Sequence, residues 1–337
     1  MVGSRRAYRR PYWFEVFIVA HAVFITAIVK WRGPDVSMLM LANFISNVLF
    51  LVLQMLGGVA LRWGVEAIRG RGRGFLRSIR TRGWMTDSLR LVAFGSLSTV
   101  VYGTIKLLIP VYHPVLYDRV LWDLEQRMFA GYAPVVFVIS LFSNPRWLTF
   151  FDDAYAQIFF SSLFIGFGFF LSHPSRRLRI AFASGNVALW VTGAWLYLLI
   201  PSLGPAYAIP ELWTSMRDLM PVTNLWHVQL MVNYQHVIKL MHGIDEPLNF
   251  MYGIAAFPSM HVAFQTFVFL WMRRLWISGQ VLFGVFTLII FLGSMITGWH
   301  YLIDGVAGIF LALFFYWIFA RSWKIGEWMR LSKVTRR

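Results

Sequence analysis

"GQVLFGVFTLIIFLGSMITGWHYLIDGVAG" occupies Gly279–Gly308. Its first part, Gly279–Trp299, contains no Asp, Glu, Lys or Arg. That length matches the roughly 20 apolar residues a helix needs to cross a hydrocarbon core. His300 and Asp304 then stand at the junction with a second apolar run, Leu302–Phe319. Two apolar runs back to back, with ionisable residues only at the turn between them, describe a pair of antiparallel membrane helices.

Outward from this pair the pattern recurs, giving about eight candidate spans of membrane-crossing length. The others are Tyr12–Val29, Met38–Leu61, Leu91–Val111, Tyr155–Leu171, Ile180–Ile200 and Ala256–Trp271, of which Tyr155–Leu171 and Ala256–Trp271 are short. Composition agrees: 58% of residues are hydrophobic, 18% aromatic and 14% charged, too apolar to be hidden in a soluble core. The fold expected is all-α: a polytopic integral membrane helix bundle, one membrane domain over residues 1–337. The first span follows Arg5, Arg6, Arg9 and Arg10 without a small-residue cleavage site, so it reads as a retained span that also serves for targeting. With no cysteine, disulfides and thiolate metal sites are excluded. Tryptophans and tyrosines near the span ends fit an aromatic belt.

The formal charge of +16 has a topological origin. One side of the layout holds the N-terminus, the Arg62–Arg90 loop, Arg176, Arg177, Arg179, Arg273, Arg274 and the C-terminal tail. It carries most of the 31 lysines and arginines and only three of the acids. The positive-inside rule then makes both termini cytoplasmic and needs no nucleic acid partner. The basic loop can also meet anionic headgroups.

Two long segments fall on the other side, Tyr112–Asp153 and Pro201–Ala255. "VLYDRVLWDLEQRMFAGYAP" and "NLWHVQLMVNYQHVIKLMHG" repeat apolar residues at helical spacing among charges, as interfacial amphipathic helices do. Structural covers over the bundle are the default for both, a lid shaping a lipid entrance the alternative.

Ionisable residues inside apolar runs carry the chemistry. His300 and Asp304 are four apart, so on a helix they share one face and the carboxylate can fix the imidazole tautomer. His261, in "AAFPSMHVAF" (Ala255–Phe264), begins the preceding span. The short Arg273–Ser278 turn brings it to the level of His300. One histidine backed by Asp can attack phosphorus while the other gives a proton to the departing oxygen. Pro258 and Ser259 stand where a helix begins, and N–H groups there attract phosphate oxygens. Zinc on His, His and Asp is the rival, without an evident fourth ligand. Histidines merely satisfied by hydrogen bonds inside a bundle are the bland alternative. Asp152, Asp153 and Tyr155 at the mouth of a span read as structural, and Asn186 and Glu15 as facing the bundle interior.

At these residues the sequence resembles the type 2 phosphatidic acid phosphatase superfamily, helical membrane enzymes that pass through a phosphohistidine. "FPSMH" and "GWHYLID" look like two of its signature motifs. The resemblance is closer to the branch of inositol phosphorylceramide and sphingomyelin synthases, and recognisable motifs run from about 112 to 320; the helices of 12–111 are less assignable. In that branch "PSLGPAYA" (Pro201–Ala208) loosely resembles a Pro- and aromatic-containing stretch, and "YDRVLWDLEQRMFAG" an acidic element. The resemblance implies His300 as nucleophile, Asp304 as its orienting partner, His261 as the acid, and Ser259 as a phosphate contact, with no cofactor and no metal. Tyr207 is the expected substrate contact of its loop.

The departures bear on substrate. Lipid monoester phosphatases carry a Lys-x6-Arg-Pro element, and an arginine six residues before the nucleophile, where this chain has Ser294. Lys106 with "LLIPVYHP" resembles the former with His113 in place of arginine, but lies three spans too early, which points to coincidence. A phosphomonoester dianion calls for several cationic donors and a phosphodiester for fewer. The sequence thus favours transfer of a phospho-headgroup from a phospholipid or lipid-linked phosphate to an acceptor hydroxyl. Lipid phosphate hydrolysis is the alternative, and a non-enzymatic lipid transporter or scaffold a remote one. Lys106, Arg119, Arg217 and Lys239 are outer-side cations available to the phosphate. The reading places the protein in the plasma membrane with its site on the non-cytoplasmic side; oligomeric state is not readable.

Overall fold

The computed structural model describes residues 11–273 and 275–334. Arg5, Arg6, Arg9, Arg10 and Arg274, which entered the charge count, lie outside the described residues. Every regular element among those described is a helix. We label the longer ones α1 (Trp13–Arg32), α2 (Ser37–Ile68), α3 (Gly72–Ile79), α4 (Arg82–Leu107), α5 (Asp118–Met128) and α6 (Pro134–Leu141). There follow α7 (Pro145–Leu171), α8 (Arg176–Leu199), α9 (Pro221–Met241), α10 (Met260–Met272), α11 (Ile277–Ile296) and α12 (Leu302–Val334).

Seven of these, α1, α2, α4, α7, α8, α11 and α12, are long and apolar enough to cross a membrane among the described residues, so the chain is a polytopic helical membrane bundle. The sixth expected span differs. Over Ala256–Trp271 the only helix is α10, whose 13 residues start at Met260, end at Met272 and rise only about 20 Å. The chain before it is not helical, with Ile254 and Ala256 buried. Its backbone is satisfied by protein, as irregular chain at membrane depth must be: Ala256 N–H donates to Ser202 O at 2.8 Å and Phe257 N–H to Ser202 Oγ at 3.0 Å. The Tyr155–Leu171 run gains residues, since Asn144 caps a helix that starts at Pro145. The Arg62–Arg90 loop is mostly helical, filled by the end of α2, α3 and the start of α4.

Cross-links define the two ends. At the basic end Arg62 reaches Phe169 O and Ser172, Arg176 pairs with Asp87, and Arg90 with Glu15. At the other end Tyr117 N–H donates to Pro201 O, and Asp152 takes the first N–H groups of α9 at Val222 and Thr223. Asp152 is thus a helix cap, as its reading as structural anticipated.

Apolar helices gain little by hiding from apolar lipid, so close backbone approach matters more. α2 and α7 meet at Gly58 and Gly168, where a Cβ on Gly58 would stand 1.9 Å from Gly168 O. α10 packs against both α11 and α12, and α8 against α4 and α12.

Candidate active site

Ser259 caps α10: its hydroxyl accepts the Val262 N–H at 3.4 Å and its carbonyl the Ala263 N–H at 2.9 Å. Its own N–H donates to Asp304 O at 2.9 Å, which fixes the start of α10 against the start of α12. His261 is therefore held in the first turn of a rigid helix. Its ring lies edge-on to Phe159, centroids 4.2 Å apart, and 5.6 Å from Tyr155.

His300 is reached from the other direction. α11 ends at Ile296, and Gly298, at φ +78°, reverses the chain so that Trp299 and His300 both donate N–H to Ser294 O. His300 thus precedes α12 instead of riding on one helix with Asp304, as the spacing predicts. Asp304 sits in the first turn of α12, and its Oδ2 accepts the Tyr301 N–H at 2.9 Å. The pair still forms: His300 Nδ1 stands 3.4 Å from Asp304 Oδ2, both residues almost fully buried. That is long for a hydrogen bond. His300 Nε2 faces His261 Nδ1 at 3.5 Å.

Both histidines line a cavity of about 420 Å³. It runs between α2, α4, α7 and α8, walled mainly by apolar side chains, and reaches the lipid-facing surface at Phe50 and Phe160. Among its described lining residues Lys106 is the sole lysine or arginine. Distance along the chain does not separate Lys106 from the histidines, because the C-terminus of α4 packs under the chain before α10: a Cβ on Gly253 would stand 2.8 Å from Lys106 O. Asn186 and Tyr155 also line the cavity, and Asn186 Oδ1 and the Tyr155 hydroxyl are buried without partners.

Three expected contacts lie elsewhere. Ser259 and Pro258 do not line the cavity; Ser259 is fully buried, its hydroxyl occupied as the cap of α10. Tyr207 turns away and donates its hydroxyl to His227 O at 3.1 Å, because "PSLGPAYA" acts as a floor. Gly204, at φ +102°, lies so close to Trp299 O that a Cβ would come within 2.4 Å. His113 bonds Leu198 O through Nδ1 at 2.7 Å and is outside the cavity.

The residues missed in the sequence are the acids of α5. This helix is inside out: Asp118, Leu121 and Glu125 face the protein, while Val120, Leu124 and Met128 are exposed. Asp118 accepts the N–H groups of Leu203 and Gly204, at 2.9 and 2.8 Å, and the Tyr301 hydroxyl at 3.1 Å. Glu125 Oε1 accepts the Ile303 N–H at 2.7 Å. Burial pushes both carboxyls upward, Glu125 to about 7, and the Asp304 charge adds to the rise at Glu125. The i, i+3, i+7 spacing of Asp118, Leu121 and Glu125 was a visible signal of one face. Its direction was not, since hydropathy alone turns the acids outward.

Compared with known protein families, residues 119–318 match the PAP2 superfamily. The match spans more than half of the chain, and the chain belongs to that superfamily. Its members are generally lipid phosphatases and phosphotransferases, and this chain is an enzyme of that general kind, embedded in a membrane. No curated protein and no solved structure matches it. Among the described residues no group of three or more His, Asp or Glu is arranged to hold a metal ion.

Proposed function

We propose that the protein moves a phospho-headgroup from a phospholipid or lipid-linked phosphate to an acceptor hydroxyl through a phosphohistidine at His300. The observation that carries this reading is the His261–His300–Asp304 constellation opening onto an apolar cavity that reaches the lipid-facing surface. Nε2 of His300 attacks phosphorus, forming the N–P bond while the P–O bond to the lipid alcohol breaks. His261 supplies the proton that the leaving oxygen takes. Asp304 holds Nδ1–H of His300 and stabilises the positive ring of the intermediate. The acceptor hydroxyl then attacks phosphorus as the N–P bond to His300 breaks, and its proton returns to His261.

A diester is favoured over a monoester by charge. A dianionic phosphate in a dry site calls for several cationic donors, and Lys106 alone lines this cavity among its described residues. Arg119 pairs with Asp123 and Lys239 with Glu246 at the surface. Lipid chains fit the apolar wall, and the headgroup reaches the histidines at the end opposite the basic cross-links. That end is non-cytoplasmic by the positive-inside rule, with both termini cytoplasmic in a plasma membrane protein.

Purified protein given lipid labelled at phosphorus should trap acid-labile label, and His300→Ala should abolish it. Label that survives this substitution refutes the nucleophile. Mass spectrometry of products with and without an acceptor alcohol separates transfer from hydrolysis.

A further inference from the structure

A second cavity, of about 330 Å³, lies between α9 and the single-turn helices of residues 205–219. Tyr207, Arg217, Asn224, His227 and Gln235 supply its polar lining. His227 lines it, and Nε2 of this ring is buried just behind the lining without a hydrogen-bond partner, although a buried polar atom normally has one. Burial, with Arg217 near by, pushes this imidazolium down to about 4, so the ring is neutral at ordinary pH and offers an acceptor nitrogen.

The two cavities share a wall. Thr223 lines both, and its N–H is held at 2.6 Å by Asp152 Oδ1, so that part of the wall is rigid. Beside it His227 lines the second cavity and the Trp299 ring the first; the two rings stand edge-on with centroids 4.1 Å apart, and Trp299 is the residue preceding His300. A molecule in the second cavity is separated from the first by these two rings.

We propose that the second cavity is the acceptor site, binding a small polyhydroxylated alcohol whose O–H donates to Nε2 of His227. Gln235 and Asn224 offer amide donors and acceptors to its further hydroxyls, and exposed Arg217 stands at the mouth. This rests on the phosphohistidine reading. In the second half-reaction the alcohol oxygen forms its bond to phosphorus as the N–P bond to His300 breaks, and the alcohol proton passes to His261. Displacement of the Trp299 indole joins the two spaces for that step.

The test uses full-length protein in nanodiscs with phosphorus-labelled phosphodiester lipid. Glycerol and inositol are added in solution in one arm, and diacylglycerol in the bilayer in the other. Label on His300 measures the first half-reaction, and labelled phospho-headgroup joined to the alcohol, over labelled phospho-headgroup released to water, measures the second. His227→Phe removes one hydrogen bond, so the KM for the accepted alcohol should rise roughly five- to tenfold relative to the rate of His300 labelling. Gln235→Leu, at an exposed position, should raise it in the same direction even if His227→Phe does not fold. Leu225→Ala, exposed and outside the cavity lining, is the control for disturbance of α9. Label on His300 with an acceptor KM unchanged in both cavity variants overturns the acceptor site and leaves the phosphohistidine standing. Label that passes only to water in both arms also overturns it. No label on His300 in the unsubstituted protein refutes the phosphohistidine reading and the acceptor site with it.

Discussion

Replacing Glu125 with glutamine should make the protein more stable above neutral pH and leave it unchanged in acid. Glu125 is 1% exposed and its carboxyl is raised from 4.5 to about 7. The folded state therefore binds more protons than the unfolded state between those values. Stability from this group is fully present below about 4.5 and is lost as pH rises through about 7. At 1.36 kcal/mol per unit the loss is at most about 3 kcal/mol. Glutamine cannot ionise, keeps a carbonyl oxygen for the Ile303 N–H, and puts an amide N–H where the carboxyl O–H was. Thermal unfolding in detergent at pH 5 and pH 8 measures the difference. The two proteins should melt together at pH 5, and at pH 8 the variant should melt higher by on the order of 5 °C. A constant offset across the range, or a variant less stable at pH 8, refutes the assignment of a neutral buried Glu125.

Asp304→Asn should leave the fold intact and lower turnover by orders of magnitude, as loss of the orienting carboxylate costs about 10⁴ in serine proteases; a tenfold effect or less argues that Asp304 only caps α12. Gly58→Leu should prevent α2 from seating on α7, seen as loss of monodisperse protein in detergent, whereas Gly64→Leu, with open space around it, should be tolerated. Because the chain has no cysteine, single cysteines report topology cleanly. Ser215→Cys should react with a membrane-impermeant maleimide on intact cells and Arg73→Cys should not; the reverse result inverts the orientation.

The spans and the candidate site residues were legible for different reasons. Apolar runs such as Gly279–Trp299 announce themselves by length, and α10 misled because its run continues into buried non-helical chain that hydropathy reads as helix. His261, His300 and Asp304 stood out as ionisable residues in apolar surroundings, and the structure brings them within 3.5 Å of one another in chain. Ser259 was read by residue type as a phosphate contact, but the same hydroxyl chemistry serves a helix cap. Tyr207 lies in a loop with the expected composition whose backbone, through Gly204 and Gly298, is committed to supporting Trp299 and His300. Lys106 shows the opposite case: its distance along the chain concealed a place beside the histidines.

The inverted helix α5 also sets an order of assembly. Asp118 takes its partners from residues 203, 204 and 301, and Glu125 from 303, all made after it. Until the last helix enters the membrane, Glu125 lacks its Ile303 partner and Asp118 has only the Leu203 and Gly204 N–H groups, so this face of α5 is incompletely satisfied. The contacts that tie α5 to Tyr301 and Ile303 therefore form only once α12 is in place, so the site end is the last part of the bundle to be completed.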